Sequence, residues 1–120
     1  MTKVLWISRH QMTSDQIADL ERIYGDVEVS QFADSVSGAK QVVELGNECD
    51  VLAVVLPPAI LADVVNPRVN TKPVIRAIAN RVQTGGTVLN PATGKEEPEF
   101  RFEHAGWERV LKIEVVTERL

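Results

Sequence analysis

The sequence predicts an α/β fold: a doubly wound, mainly parallel sheet in the order βαβαβα, followed by an antiparallel hairpin. Three observations carry this. Residues 4–7 and 51–56 are apolar on both strand faces, as central parallel strands covered by helices must be. Amphipathic helical stretches lie between the strands, joined by short loops. A simple in-out alternation returns near the C-terminus, where Phe100 and Phe102 share one face.

The first strand, Val4-Leu5-Trp6-Ile7, runs into a polar tip, Ser8-Arg9-His10-Gln11. Thr13 then predicts a helix N-cap, and Gln16 three residues on completes a capping box. The helix spans Ser14–Tyr24, with Ile17, Leu20, Ile23 and Tyr24 inward and Asp15, Asp19 and Arg22 on the wet side. Gly25 is its natural C-terminal stop. Residues 26–32 follow as a half-buried strand near the sheet edge, Val27 and Val29 alternating with Glu28 and Ser30.

Ser35 or Ser37 is expected to cap a second helix running to Leu45, with Val36, Ala39, Val42 and Val43 as its inner stripe. The second central strand, residues 51–56, ends at Pro57-Pro58. Pro58 suits the first turn of a short helix over residues 59–65. The Leu56-Pro57-Pro58 loop leaves the same sheet edge as Ser8-Arg9-His10-Gln11, because both strands are parallel.

Residues 73–83 fit a strand or a helix, and a strand beginning at Pro73 is expected. Thr84-Gly85-Gly86-Thr87 reads as a turn, and residues 90–95 as another turn or exposed loop. His104-Ala105-Gly106-Trp107 is expected to turn the chain. Residues 109–117 would close the fold as a strand with Leu111, Ile113 and Val115 inward.

The 120 residues suffice for one domain over residues 1–120 with one sizeable core. Hydrophobic residues at 44% and charged residues at 25% are ordinary for a globular chain. No apolar run reaches the length of a membrane span. Lys3 is followed by only four apolar residues before Ser-Arg-His, which does not read as a signal peptide. The single cysteine, Cys49, leaves no internal disulfide and fits a cytoplasmic setting as a small packing residue. Two histidines and one cysteine do not make a dedicated zinc or iron site.

A net charge of −4 argues against general DNA or RNA binding. Yet residues 64–95 hold no acid and contain Arg68, Lys72, Arg76, Arg81 and Lys95. The first fourteen residues are also free of acids and hold Lys3, Arg9 and His10. Two basic stretches on an acidic protein point to a local anion site.

Neither a P-loop nor a G-x-G-x-x-G fingerprint is present, and no H-x-E…C-x-x-C deaminase signature. A phosphate at the first strand's end would be held by side chains and the amide end of the first helix. Arg9 can bind phosphate bidentately, and His10 can transfer a proton or, when charged, donate to phosphate. Ser8 and His10 can also be read as a nucleophilic pair, though no G-x-S-x-G elbow surrounds them. Trp107 can stack on a base or cover the end of the core.

The opening block, an apolar strand, Ser-Arg-His10, then Met12-Thr13-x-x-Gln16 leading into a helix that ends at Tyr24-Gly25, resembles the small stand-alone CRISPR-associated proteins of the CARF-like ring nuclease group. Met12 stands where that group usually has Leu. The resemblance covers about the first 25 residues. It implies a Rossmann-like three-layer homodimer that binds a cyclic oligoadenylate and cleaves it without metal or other cofactor. Each ribose 2′-hydroxyl would attack its neighbouring phosphate, leaving a 2′,3′-cyclic phosphate. On this reading His10 transfers the proton, Ser8 and Gln11 orient, and Arg9 holds phosphate. Pro57 lines the ligand site, and Arg76 or Arg81 supplies a second cation. Two other expectations stand beside it: a sensor of the same architecture that binds a nucleotide or other anion without cleaving it, and an α/β interaction protein whose basic segment meets an acidic partner.

Overall fold

The computed structural model describes residues 1–114 and 116–120. Five strands form one mixed sheet in the order β2-β1-β3-β4-β5. They are β1 (Thr2–Ile7), β2 (Val27–Phe32), β3 (Val51–Val54), β4 (Val74–Asn90) and β5 (Lys95–Arg109). The helices are α1 (Ser14–Tyr24), α2 (Ala39–Leu45) and α3 (Pro58–Val64). Strands β2, β1, β3 and the start of β4 pair in parallel, and β4 pairs antiparallel with β5.

β1 is central because both of its faces are apolar, and each face has its own cluster. Leu5 and Ile7 pack with Leu52, Val54, Val42 of α2 and Leu61 and Val64 of α3. Val4 and Trp6 pack on the opposite face with Leu20 of α1, Met12, Ala53 and Ile75. Helix α1 has the predicted bounds and the predicted box: Gln16 N–H donates to Thr13 Oγ1 at 3.2 Å, and Thr13 N–H to Gln16 Oε1 at 2.9 Å.

Helix α2 differs from expectation. It starts at Ala39 after Gly38, and no side chain caps it. Ser37 instead bonds the Gln41 side chain, and Ser35 turns to Arg9. The other end of α2 is closed by Lys72, whose Nζ donates to Gly46 O at 2.6 Å and Asn47 O at 2.8 Å. A cation on the last carbonyls of a helix satisfies acceptors the helix cannot.

The C-terminal third departs further from expectation. Thr84-Gly85-Gly86-Thr87 does not reverse the chain. It is an irregularity inside β4, where the register with β5 shifts between Gln83 and Thr87. Gly85 takes φ 86°, which lets the strand carry extra residues without a turn. The reversal comes at residues 91–94, where Thr93 and Gly94 N–H both donate to Asn90 O. His104-Ala105-Gly106-Trp107 does not turn the chain either. It lies within β5, with a second register shift opposite Ile78 and Ala79. β5 ends at Arg109, and residues 110–114 form no strand; Val110 N–H still donates to Val74 O at 2.8 Å. Val115, expected to point inward, lies outside the described residues.

The hairpin therefore projects as an arm. β3 pairs with β4 only at Val74 and Ile75, and among the described residues no strand but β5 pairs with β4 beyond them. The Cα radius of gyration is 17.4 Å, against about 14 Å for a compact chain of this length. No helix among the described residues is long and apolar enough to cross a membrane.

Candidate functional site

The carboxyl ends of β1, β2 and β3 meet at one corner, and a cavity of about 290 Å³ opens there. Ile7, Ser8, Arg9 and His10 contribute one wall. Asp34, Ser35 and Val36 contribute the second, and Val55, Leu56, Pro57 and Ile60 the third. Crevices outside the carboxyl ends of parallel strands are the usual ligand sites of open α/β sheets, because the strand-to-helix loops converge there.

The polar tip after β1 is pinned from below. Ser8 N–H donates to Phe32 O at 3.2 Å, and His10 N–H donates to Ser8 Oγ at 3.1 Å. Trp6 Nε1 donates to His10 O at 2.8 Å. Gln31 Nε2 donates to both Ser8 O at 2.9 Å and His10 O at 3.1 Å. The backbone between residues 8 and 10 is thus fixed by an indole, an amide and a hydroxyl. Ser8 is 7% exposed, and its oxygen faces the loop's own N–H.

Above this base the Arg9 and His10 side chains are exposed. Arg9 Nη2 donates to Ser35 Oγ at 2.9 Å, which holds the guanidinium across the corner and leaves its other N–H groups for an anion. The His10 ring has no hydrogen-bond partner among the described residues. Asp34 places one carboxylate on the same wall as Ser35.

Ser8, Arg9, His10 and Pro57 thus line one cavity. Gln11 is exposed and does not line it. The basic middle segment does not converge on the corner. Arg76 pairs with Glu108 across the hairpin, Arg81 lies 3.6 Å above the Phe100 ring, and Lys72 closes α2. Gln31, Asp34 and Ser35 were not singled out as site residues by the sequence. The signal for Asp34 and Ser35 was their place after the second strand, the logic that placed Ser8 and Arg9. Gln31 is legible only from the register that sets it beside Trp6.

The second histidine lies elsewhere. His104 Nε2 stands 2.9 Å from Asp19 Oδ2, and Trp107 Nε1 donates to Gln16 O at 3.1 Å, so β5 is fastened to α1. Trp107 meets Trp6 edge to face, at 5.8 Å between ring centroids. Asp19 is therefore not on the wet side of α1. The hydrogen bonds from His104 and Arg22 hold its carboxyl below the usual carboxylate range. His104 Nδ1 is buried without a partner among the described residues.

No protein-family model, curated protein or solved structure matches the chain.

Proposed function

We propose that the corner after β1 grips the phosphate of an anionic nucleotide, and that the protein is a Rossmann-like ring nuclease opening a cyclic oligoadenylate. The observation that carries this reading is that Arg9 and His10 line one cavity at the carboxyl edge of the sheet, with the imidazole free of protein partners among the described residues. A volume of about 290 Å³ lies at the small end of ligand sites, so the corner takes one nucleotide unit of a larger ring. A second copy would present the same corner to the opposite half.

In the reaction a ribose 2′-oxygen attacks the adjacent phosphorus as the bond to the 5′-oxygen breaks. The 2′-hydroxyl loses a proton and the departing 5′-oxygen gains one. The products are a 2′,3′-cyclic phosphate and a 5′-hydroxyl, with no water consumed. Arg9 stabilises charge on the phosphoryl oxygens, and His10 moves the proton. The pinned backbone of residues 8–10 supplies alignment.

Incubating the protein with cyclic tetra- and hexa-adenylate in excess EDTA tests this. Linear products ending in a 2′,3′-cyclic phosphate are expected, and His10→Ala should slow their formation by about 10²–10⁴-fold while ligand is still retained. Undiminished turnover by that variant would remove His10 from the mechanism. Asp34 favours a second reading, a sensor that does not cleave. A carboxylate on the wall disfavours a phosphate beside it, but it can accept from a ribose hydroxyl or a base amino group. Tight retention without products is the outcome that reading predicts.

A further inference from the structure

We infer that the β4–β5 arm carries a binding site for a short segment of single-stranded RNA, whose bases stack on Phe102 and on the Arg81–Phe100 pair. This does not depend on what the corner binds. Directly opposite residues of an antiparallel pair share a face. The register sets Ala79 against His104, Arg81 against Phe102 and Gln83 against Phe100, so these side chains form one patch. His104 fastens the base of the patch to α1. Beyond it Phe102 is 75% exposed and Phe100 40%. Arg81 Cζ stands 3.6 Å from the Phe100 ring centroid. A guanidinium held on a ring keeps N–H groups for phosphate and can take a base on its outer side.

Three features select RNA as the occupant. The first is spacing. Phe100 and Phe102 stand two residues apart on one strand, about 7 Å from each other along it. Aromatic rings so placed on an exposed sheet surface hold successive splayed bases of a single strand.

The second is charge. Between Phe100 and His104, Arg81 is the one formal charge that the two strands place on this face among the described residues. Glu97, Glu99 and Glu103 alternate onto the other face, where Glu103 pairs with Arg101 at 2.7 Å and Glu99 accepts from Thr84 Oγ1 at 3.3 Å. Asp19, at the base of the patch, is engaged by His104 and Arg22. Glu96 comes onto the same face toward the tip, where Thr87 lies beside it. The acids of the arm thus bound the site to about two or three nucleotides. A patch of that size is compatible with a chain of net charge −4, whereas a long nucleic-acid tract is not.

The third is polarity. The Gln83 amide is both donor and acceptor, as a ribose 2′-hydroxyl is, and it stands across from Phe100. An apolar protein segment laid on this patch would cover Arg81 and Gln83 without giving them acceptors, which is costly. A nucleotide strand supplies planar rings, phosphate and hydroxyls together.

Fluorescence anisotropy with 5′-labelled hexauridylate and the full chain tests this. Uridylate keeps the probe distinct from the adenylate assigned to the corner. Saturable binding at low salt is expected. Phe102→Ala should weaken it about 5- to 150-fold, the range for one stacked base, and Phe102→Trp should restore it. The side chain is exposed, so the alanine variant should keep the wild-type unfolding midpoint. Arg81→Gln should lower the slope of log affinity against log salt by about 0.7. A hexamer of abasic riboses should bind about 10-fold more weakly or worse. The proposal is overturned if hexauridylate is not retained at low salt, or if the abasic or the deoxy strand binds as tightly as the RNA. Full binding by Phe102→Ala together with loss in Arg9→Ala would place the strand at the corner and overturn it equally.

Discussion

At Asp19 a helix that reads as simply amphipathic is recruited into tertiary structure. The spacing puts Asp19 among the polar residues of α1, and only the approach of β5 from 85 residues away gives it His104 as a partner. Because Asp19 is ionised it can only accept, so His104 Nε2 carries the proton between them. The consequence for stability follows from the lowered carboxyl. A group whose folded value lies below its unfolded one stabilises the fold above the unfolded value, near 4. That contribution is lost as pH falls through the folded value. Asp19→Asn is therefore expected to lower the unfolding midpoint at pH 7, with the gap to the wild type closing below about pH 4. A gap that does not change between pH 7 and pH 3 would show that the ionised carboxylate contributes nothing. Ser8, Arg9 and His10 were legible because a polar tip after a doubly apolar strand has a defined place in a parallel sheet. The destinations of Arg76, Arg81 and Lys72 were not, because each is fixed by a neighbour distant in sequence: Glu108, Phe100 and the end of α2.

Among the elements, α1 follows directly from local chemistry. Thr13→Ala removes the hydroxyl that accepts Gln16 N–H and should cost about 1 kcal/mol in chemical denaturation. The end of α2 is set by packing. A Cβ on Gly46 would overlap Leu52 Cδ2 and stand 3.6 Å from Leu5 Cδ2, and both leucines belong to the core. Gly46 has φ −88°, so its backbone is open to any residue and close approach is the constraint. Gly46→Ala should destabilise by about 1–3 kcal/mol, and a neutral result would mean that α2 can shift away from β3. The elements missed by sequence reasoning share one cause. Gly85-Gly86 and Gly106 carry the composition of turns, and glycine serves a bulge as readily as a reversal. Whether the chain turns at residue 85 or at residue 91 is decided by pairing across the hairpin, which local composition does not encode.

The whole molecule has two parts of different character. The α/β body buries β1 and β3 between two clusters and leaves a cavity where their loops meet. The arm buries little and extends the overall dimensions to 51 × 50 × 23 Å. Removing residues 84–99 and rejoining the strands through a two-residue Asn-Gly turn should leave the body folded, with its near-ultraviolet tryptophan signal retained. Trp6, Trp107 and the contact of His104 with α1 all lie outside the deleted segment. Loss of that signal would show that the arm tip stabilises the body. Anion binding at the corner is read out by titrating cyclic tetra-adenylate into the wild type and Arg9→Ala at low and physiological salt. Saturable binding by the wild type is expected, weakened by salt, with a loss of affinity in Arg9→Ala that is larger at low salt. Absence of binding by the wild type, or equal affinity for the two proteins, would contradict it.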